Sequence, residues 1–209
     1  MNKIIIMSLL VILFSGCAST TKLSKKDSEY IAKIYVNDEV KIPDTAYYSG
    51  PEQGFGAVFG AIGALATNAV ETKDELIVSY MKENNIDIGE ISKQAVKSAL
   101  LSAPSFAGKT VVSNASEADT FFSVEVVTYG IGQTSGFSSV YRPLLGIKAK
   151  LKDSSNRVIW EEYEFISPMN DSVDAIEFKA YFKDPENMRS RYKKAAELVA
   201  SFMVRDLEP

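Results

Sequence analysis

Three segments in the second half of this chain alternate apolar and polar residues with a period of two. Phe121–Tyr129 sets Phe122, Val124 and Val126 against Ser123 and Glu125. Leu144–Lys152 sets Leu145, Ile147, Ala149 and Leu151 against Lys148 and Lys150. Asp153-Ser-Ser-Asn156 reads as a turn, and Arg157–Ile166 as the returning strand. Successive strand side chains point to opposite faces, so this pattern dictates an antiparallel sheet with one buried and one polar face. The buried face needs a cover, and three helical stretches can supply it. Glu71–Asn84 is rich in helix formers and ends at Asn84-Asn85. Ile88–Ala103 carries Ile88, Ile91, Ala95 and Ala99 at helical spacing and stops at Pro104. Asp184-Pro185 is an N-cap followed by Pro at the first helical position, and Met188, Tyr192, Ala195, Val199 and Phe202 then share a face. With a first strand at Ile31–Val36 and a short one at Thr110–Ser113, the order predicts an α+β fold. It is a single two-layer sandwich over residues 30–209, a mostly antiparallel sheet covered by helices.

The N-terminus has a different character. Lys3 precedes the apolar run Ile4–Phe14, which leads into Ser15-Gly16-Cys17. About eleven apolar residues fall short of the ~20 that span a bilayer, so the run reads as the core of a cleaved secretory signal over residues 1–16. Cys17 is the sole cysteine, which rules out an intrachain disulfide. Ser15, Gly16 and Cys17 resemble the lipobox of bacterial lipoproteins, although Phe14 stands where that motif usually has Leu. The resemblance implies acyl chains on the sulfur and amine of Cys17, and several chains hold a protein on a membrane where one does not. By similarity to enteric lipoproteins, Ala18 in place of Asp implies the outer membrane, with the domain facing the periplasm. Residues 17–29 are then the lipidated cysteine and a flexible polar tether, with Ala18–Ser28 free of periodicity.

Charge and reactive groups narrow the function. The net charge of −4 becomes −5 when residues 1–16 take Lys3 with them. That argues against a nucleic-acid partner, which needs clustered Lys and Arg. The chain has no histidine, which removes the commonest general base and zinc ligand. Ser92-Lys93 are neighbours on a helix and do not face each other. Glu161-Glu162 are neighbours on a strand and point to opposite faces. Asn170-Asp171-Ser172 is too thin for a calcium loop. The expectation is a protein without catalytic residues, metal or cofactor.

Two segments invite a binding role. Residues 54–70, running from Gly54 through Phe55 and Gly56 to Val70, are apolar and rich in Gly and Ala. Gly56, Gly60 and Ala64 are four apart, as are Ala57 and Ala61, so a helix there would carry a smooth stripe for close backbone approach. Three accounts stay open: a buried helix packed on the sheet, self-association between copies, or shallow insertion into a bilayer. The second segment is Gly130–Pro143, read as a long loop carrying Phe137, Tyr141 and Arg142, residue types common at contact surfaces. Tyr47-Tyr48-Ser49-Gly50-Pro51 reads as an exposed aromatic loop.

The layout resembles small periplasmic α/β lipoprotein modules such as the TolB amino-terminal and curli-secretion lipoprotein domains. It is more closely similar to a loose group of uncharacterised bacterial lipoproteins, through Gly54–Ala66 after the first strand and Ile86-Asp87-Ile88 opening the second helix. The resemblance implies a fold and a compartment. The expected role is a membrane-anchored, non-enzymatic interaction or assembly module in the cell envelope, pairing with itself or another envelope protein. The alternative is an accessory lipoprotein that binds lipid or a small amphiphile in a cavity lined by Phe121, Phe122, Tyr129 and Trp160.

Overall fold

In the computed structural model, which describes residues 20–51, 72–205 and 207, the alternating segments form one antiparallel meander. Strands β4 (Thr120–Gln133), β5 (Val140–Asp153) and β6 (Val158–Ile166) lie side by side. β4 and β5 pair from Thr120↔Asp153 to Gln133↔Tyr141, and β5 and β6 from Lys152↔Val158 to Leu145↔Ile166. The tight turn between β5 and β6 is built by Asp153, whose Oδ1 accepts from the backbone N–H of Ser155 and of Arg157, while Asn156 takes φ 66°. Asn tolerates that left-handed conformation better than most residues.

Gly130–Pro143 is not a long loop. Both strands run into it, and only residues 134–139 form the connection. The cause is a bulge between Val126 and Thr128. One extra residue reverses the parity of the strand, so Phe122, Val124 and Val126 face the core before it and Tyr129 and Ile131 after it. The alternation therefore breaks at a point where the strand itself continues.

Beyond the free edge of β4 lie three strands parallel to it. β1 (Lys33–Val36) pairs with Thr120–Phe122 and, on its far side, with β3 (Thr110–Val112). β2 (Tyr47–Ser49) pairs with Gly130–Gly132, so Tyr47 and Tyr48 belong to a strand and not to an exposed loop. β7 (Ile176–Glu177) continues the line of β6 beside Val140 and Tyr141.

The helices cover one face, as the alternation requires. α2 (Lys73–Glu83) begins where the Thr72 N–H donates to the Glu75 carboxylate, and α3 (Ile88–Ser102) where Asp87 accepts from the Glu90 N–H. α4 (Pro185–Arg205) follows Asp184, which accepts from the Glu186 N–H. Val96 and Leu100 of α3 and Met188, Tyr192, Ala195, Val199 and Met203 of α4 share one core with Phe122, Ile147, Leu151 and Trp160 of the sheet. The buried Tyr192 hydroxyl donates to the Gly130 carbonyl at 2.9 Å. The α+β two-layer architecture is thus the observed one.

The folded body begins nearer the N-terminus than residue 30. Thr21 forms an antiparallel bridge to Glu161 on the outer edge of β6, with both N–H···O bonds at 2.9 Å. A short helix, α1 (Lys25–Tyr30), follows, and its Asp27 meets Arg157 at 2.6 Å. Arg157 also bonds Asp153 at 2.9 Å. Its guanidinium, helped by Ser24, holds the Asp27 carboxyl below the ordinary value of 3.8. Asp153 is likewise lowered, first by the Ser155 hydroxyl. A depressed carboxylate contributes stability that is present above its unfolded pKa and lost as pH falls through the folded one. Acidification below pH 3.8 is therefore expected to loosen α1 while the sheet persists. Hydrogen exchange at the Asp27 and Ile31 amides checks this, and Arg157→Gln is expected to bring the loosening on at higher pH.

Candidate functional site

The polar face of the sheet carries its most constrained charged group. Glu161 lies on β6 opposite Lys150 of β5. Its side chain is only 6% exposed, and its two carboxylate oxygens meet Lys148 Nζ and Lys150 Nζ at 2.8 Å each. Beyond these lysines lies a shallow depression of about 540 Å³ lined by Tyr35, Asp38, Lys41, Glu125 and Lys152 among others. Lysines and carboxylates alternate across it, so it has no dominant sign. Glu161 was legible only in part: the sequence placed Glu161 and Glu162 on opposite faces and Lys148 and Lys150 on one, but not the closure between them. The turn at Asp153–Arg157 starts the pairing at Lys152↔Val158, and an irregularity between Leu151 and Lys152 then shifts the register by one residue, which sets Glu161 against Lys150 and which the turn residues do not signal.

The second location is the end of the sheet where β4 turns into β5. Of the three residues assigned to a binding loop, only Phe137 lies in the turn, and it is wholly exposed. Tyr141 is a buried strand residue, and its carbonyl accepts from the Tyr181 hydroxyl at 3.2 Å. Arg142 is also on β5, where its Nε donates to the Val173 carbonyl at 2.6 Å and its Nη1 to the Pro168 carbonyl at 3.3 Å. It braces the segment after β6. The turn itself is tied by Gln133 Nε2 to the Ser138 carbonyl at 2.6 Å and by Thr134 Oγ1 to Ser138 Oγ at 2.7 Å.

Beside this end, Tyr48, Tyr141, Phe178 and Phe182 form a continuous aromatic cluster, with Tyr48 and Tyr141 stacked at 6.0 Å and their hydroxyls 3.2 Å apart. Burial pushes the Tyr48 phenol up from its ordinary value, and the hydrogen bond with Tyr141 adds to the rise. Lys73 caps the cluster, its ammonium 4.4 Å from the Tyr48 ring centre and donating to the Pro51 carbonyl. Pro51 and Lys73 are thereby held together. The stripe residues Gly56, Ala57, Gly60, Ala61 and Ala64 lie outside the described residues, as does Cys17.

The helix layer carries a third feature, a groove of about 670 Å³ between α3 and α4 lined by Ile91, Ala95, Ala99, Lys193 and Glu197 among others. Ser92 is buried beside it with a hydroxyl that has no partner, while Lys93 turns away to the Asp38 carbonyl and Glu90. The two do not form a nucleophile–base pair. Among the described residues there is no cluster of carboxylates, cysteines or histidines that could hold a metal ion, and no helix long and apolar enough to cross a membrane.

No protein-family model matches the chain, and no curated protein matches it in sequence. Solved structures give distant matches only. A minor lipoprotein from Acinetobacter baumannii is 8% identical over 85% of this chain and 93% of that one, with a TM-score of 0.39. A PelC dodecamer from Paraburkholderia phytofirmans is 11% identical over 84% of this chain and 86% of that one, with a TM-score of 0.34. A Xanthomonas campestris protein of family DUF330 is 16% identical over 56% of this chain, with a TM-score of 0.36. This chain covers 58% of the length of that protein. The matches are thus remote and include a bacterial lipoprotein, and no sequence family is shown.

Proposed function

We propose that this protein is a lipid-anchored module of the bacterial cell envelope that works by binding another envelope component or a second copy of itself, without catalysis. The observation that carries this reading is Ser15-Gly16-Cys17 closing a short apolar run, four residues ahead of the point where Thr21 joins the sheet. Acyl chains at Cys17 would hold the domain on the outer membrane, on its periplasmic side. What supports a binding role over catalysis is that the most constrained charged groups are spent on each other, Glu161 on two lysines and Arg157 on two aspartates.

The second reading, an amphiphile carrier, requires a cavity among Phe121, Phe122, Tyr129 and Trp160. Phe122, Tyr129 and Trp160 are packed into the core, while Phe121 is on the opposite face against Tyr35. Those four do not bound one space, which favours the interaction module. Chemical crosslinking in intact envelopes followed by affinity capture of the protein tests the proposal. A discrete crosslinked species, either a heteromer or a self-multimer, is expected. Capture of the monomer alone at every crosslinker length would overturn it.

A further inference from the structure

Among the described residues the three most exposed large apolar side chains are Phe137 at 105%, Met169 at 77% and Tyr47 at 56%, and all three stand towards the end where β4 turns into β5, while Tyr30 at 52% stands at the opposite end. Phe137 is in that turn. Tyr47 is paired with Gly130 near the end of β4. Met169 follows Pro168, which lies against Gly132 and whose carbonyl is held by Arg142. Single exposed apolar residues are ordinary, but a cluster of bulky ones on a braced end needs an occupant.

The anchor arm points the same way. Because Thr21 pairs antiparallel with Glu161, Thr20 lies on the Glu162 side, and the arm enters from the direction of Phe165. β6 runs from Val158, beside the Asp153 turn, towards Ile166 and Met169. Cys17 is four positions before Thr21, and four steps of ~3.4 Å give that stretch of chain a reach of at most about 14 Å. That is the distance from Glu161 to Phe165 along β6.

We propose that the β4–β5 turn end of the domain, presenting Phe137, Met169 and Tyr47, docks into the lipid interface of the membrane that holds the chain's own anchor. This rests on acylation at Cys17 as proposed above. Aromatic side chains suit the interface, where one end meets hydrocarbon and the other water. The chain is acidic overall, so the contact is apolar and does not depend on anionic headgroups.

Trp160 is the sole tryptophan and is 1% exposed, so it serves as an internal reference. The test uses the full acylated chain in phosphatidylcholine vesicles whose acyl chains are brominated. In Phe137→Trp and Met169→Trp the emission of the added indole, taken as the excess over the parent chain, is expected to fall about twofold relative to unbrominated vesicles, since tryptophan favours the interface. Tyr30→Trp, at the opposite end beside Ser154, and the parent chain are expected to show no loss. Vesicle flotation is read on the same samples. Flotation without quenching of either Phe137→Trp or Met169→Trp would overturn the docking and leave the anchor intact. Failure to float would overturn the anchor and the docking with it.

Discussion

Gly130→Ala is expected to cost the domain about 4 kcal/mol or more, a large share of the stability of a domain of this size. The reason is the backbone of β2. A Cβ at Gly130 would lie 1.8 Å from the Tyr47 carbonyl oxygen and within 2.7 Å of the Tyr47 nitrogen and carbonyl carbon. No side chain can rotate away to relieve this, so β2 must leave the sheet. The shift would also disturb the Gly130 carbonyl that satisfies the buried Tyr192 hydroxyl, and an unpaired buried hydroxyl is costly in its own right. Urea unfolding followed by circular dichroism gives the midpoint. Gly136→Ala is the control, because nothing lies within 4 Å of its Cβ, and its midpoint is expected to be unchanged. A midpoint for Gly130→Ala equal to that of the parent would show that β2 is not paired with β4 as described.

Glu161→Gln is the second large effect. The amide keeps the shape of the carboxylate but leaves two ammonium groups facing each other without a counter-charge. Removing one partner of a buried ion pair costs several kcal/mol. Here the two lysines are 26% and 31% exposed, so solvent screens part of the loss and about 2 kcal/mol is expected. The triple change Lys148→Met, Lys150→Met and Glu161→Leu is expected to recover most of it, because an apolar cluster of similar volume has no charges to desolvate. Urea midpoints for the single and triple variants, measured at two salt concentrations, check the claim. Equal destabilisation by both would mean that Glu161 acts through packing and not charge.

How much of this was legible in the sequence follows from which interactions are local. The period-two runs at Phe121–Val126 and Leu145–Leu151 gave the meander and its buried face, because a strand writes its burial directly into alternation. Asp153 and Asn156 marked the turn between β5 and β6, and Asp87, Asn84-Asn85 and Asp184-Pro185 marked helix ends by capping chemistry that involves only neighbours. The β4 bulge hid the rest of β4. Past Val127 the parity reverses, and Gly130 and Gly132, which look like loop residues, are there because β2 and Pro168 approach them closely. β2 was missed for the same reason: a three-residue strand is specified by its partner and not by its own composition. The docking of Thr21 and α1 onto β6 is a long-range contact of a polar segment that carries no periodicity. Of the three residues read as a binding loop, Phe137 is exposed in the turn, whereas Tyr141 and Arg142 serve the core and the bracing of the Pro168 segment.

The account depends most on the chemistry at Cys17. Feeding cells an alkyne-bearing fatty acid and reading label on the purified protein tests it directly. The account predicts label on the parent chain and none on Cys17→Ala, which is expected to remain as an unprocessed precursor carrying residues 1–16. A parent chain that matures without taking up the label would contradict the anchor, and with it the place in the envelope assigned to this fold.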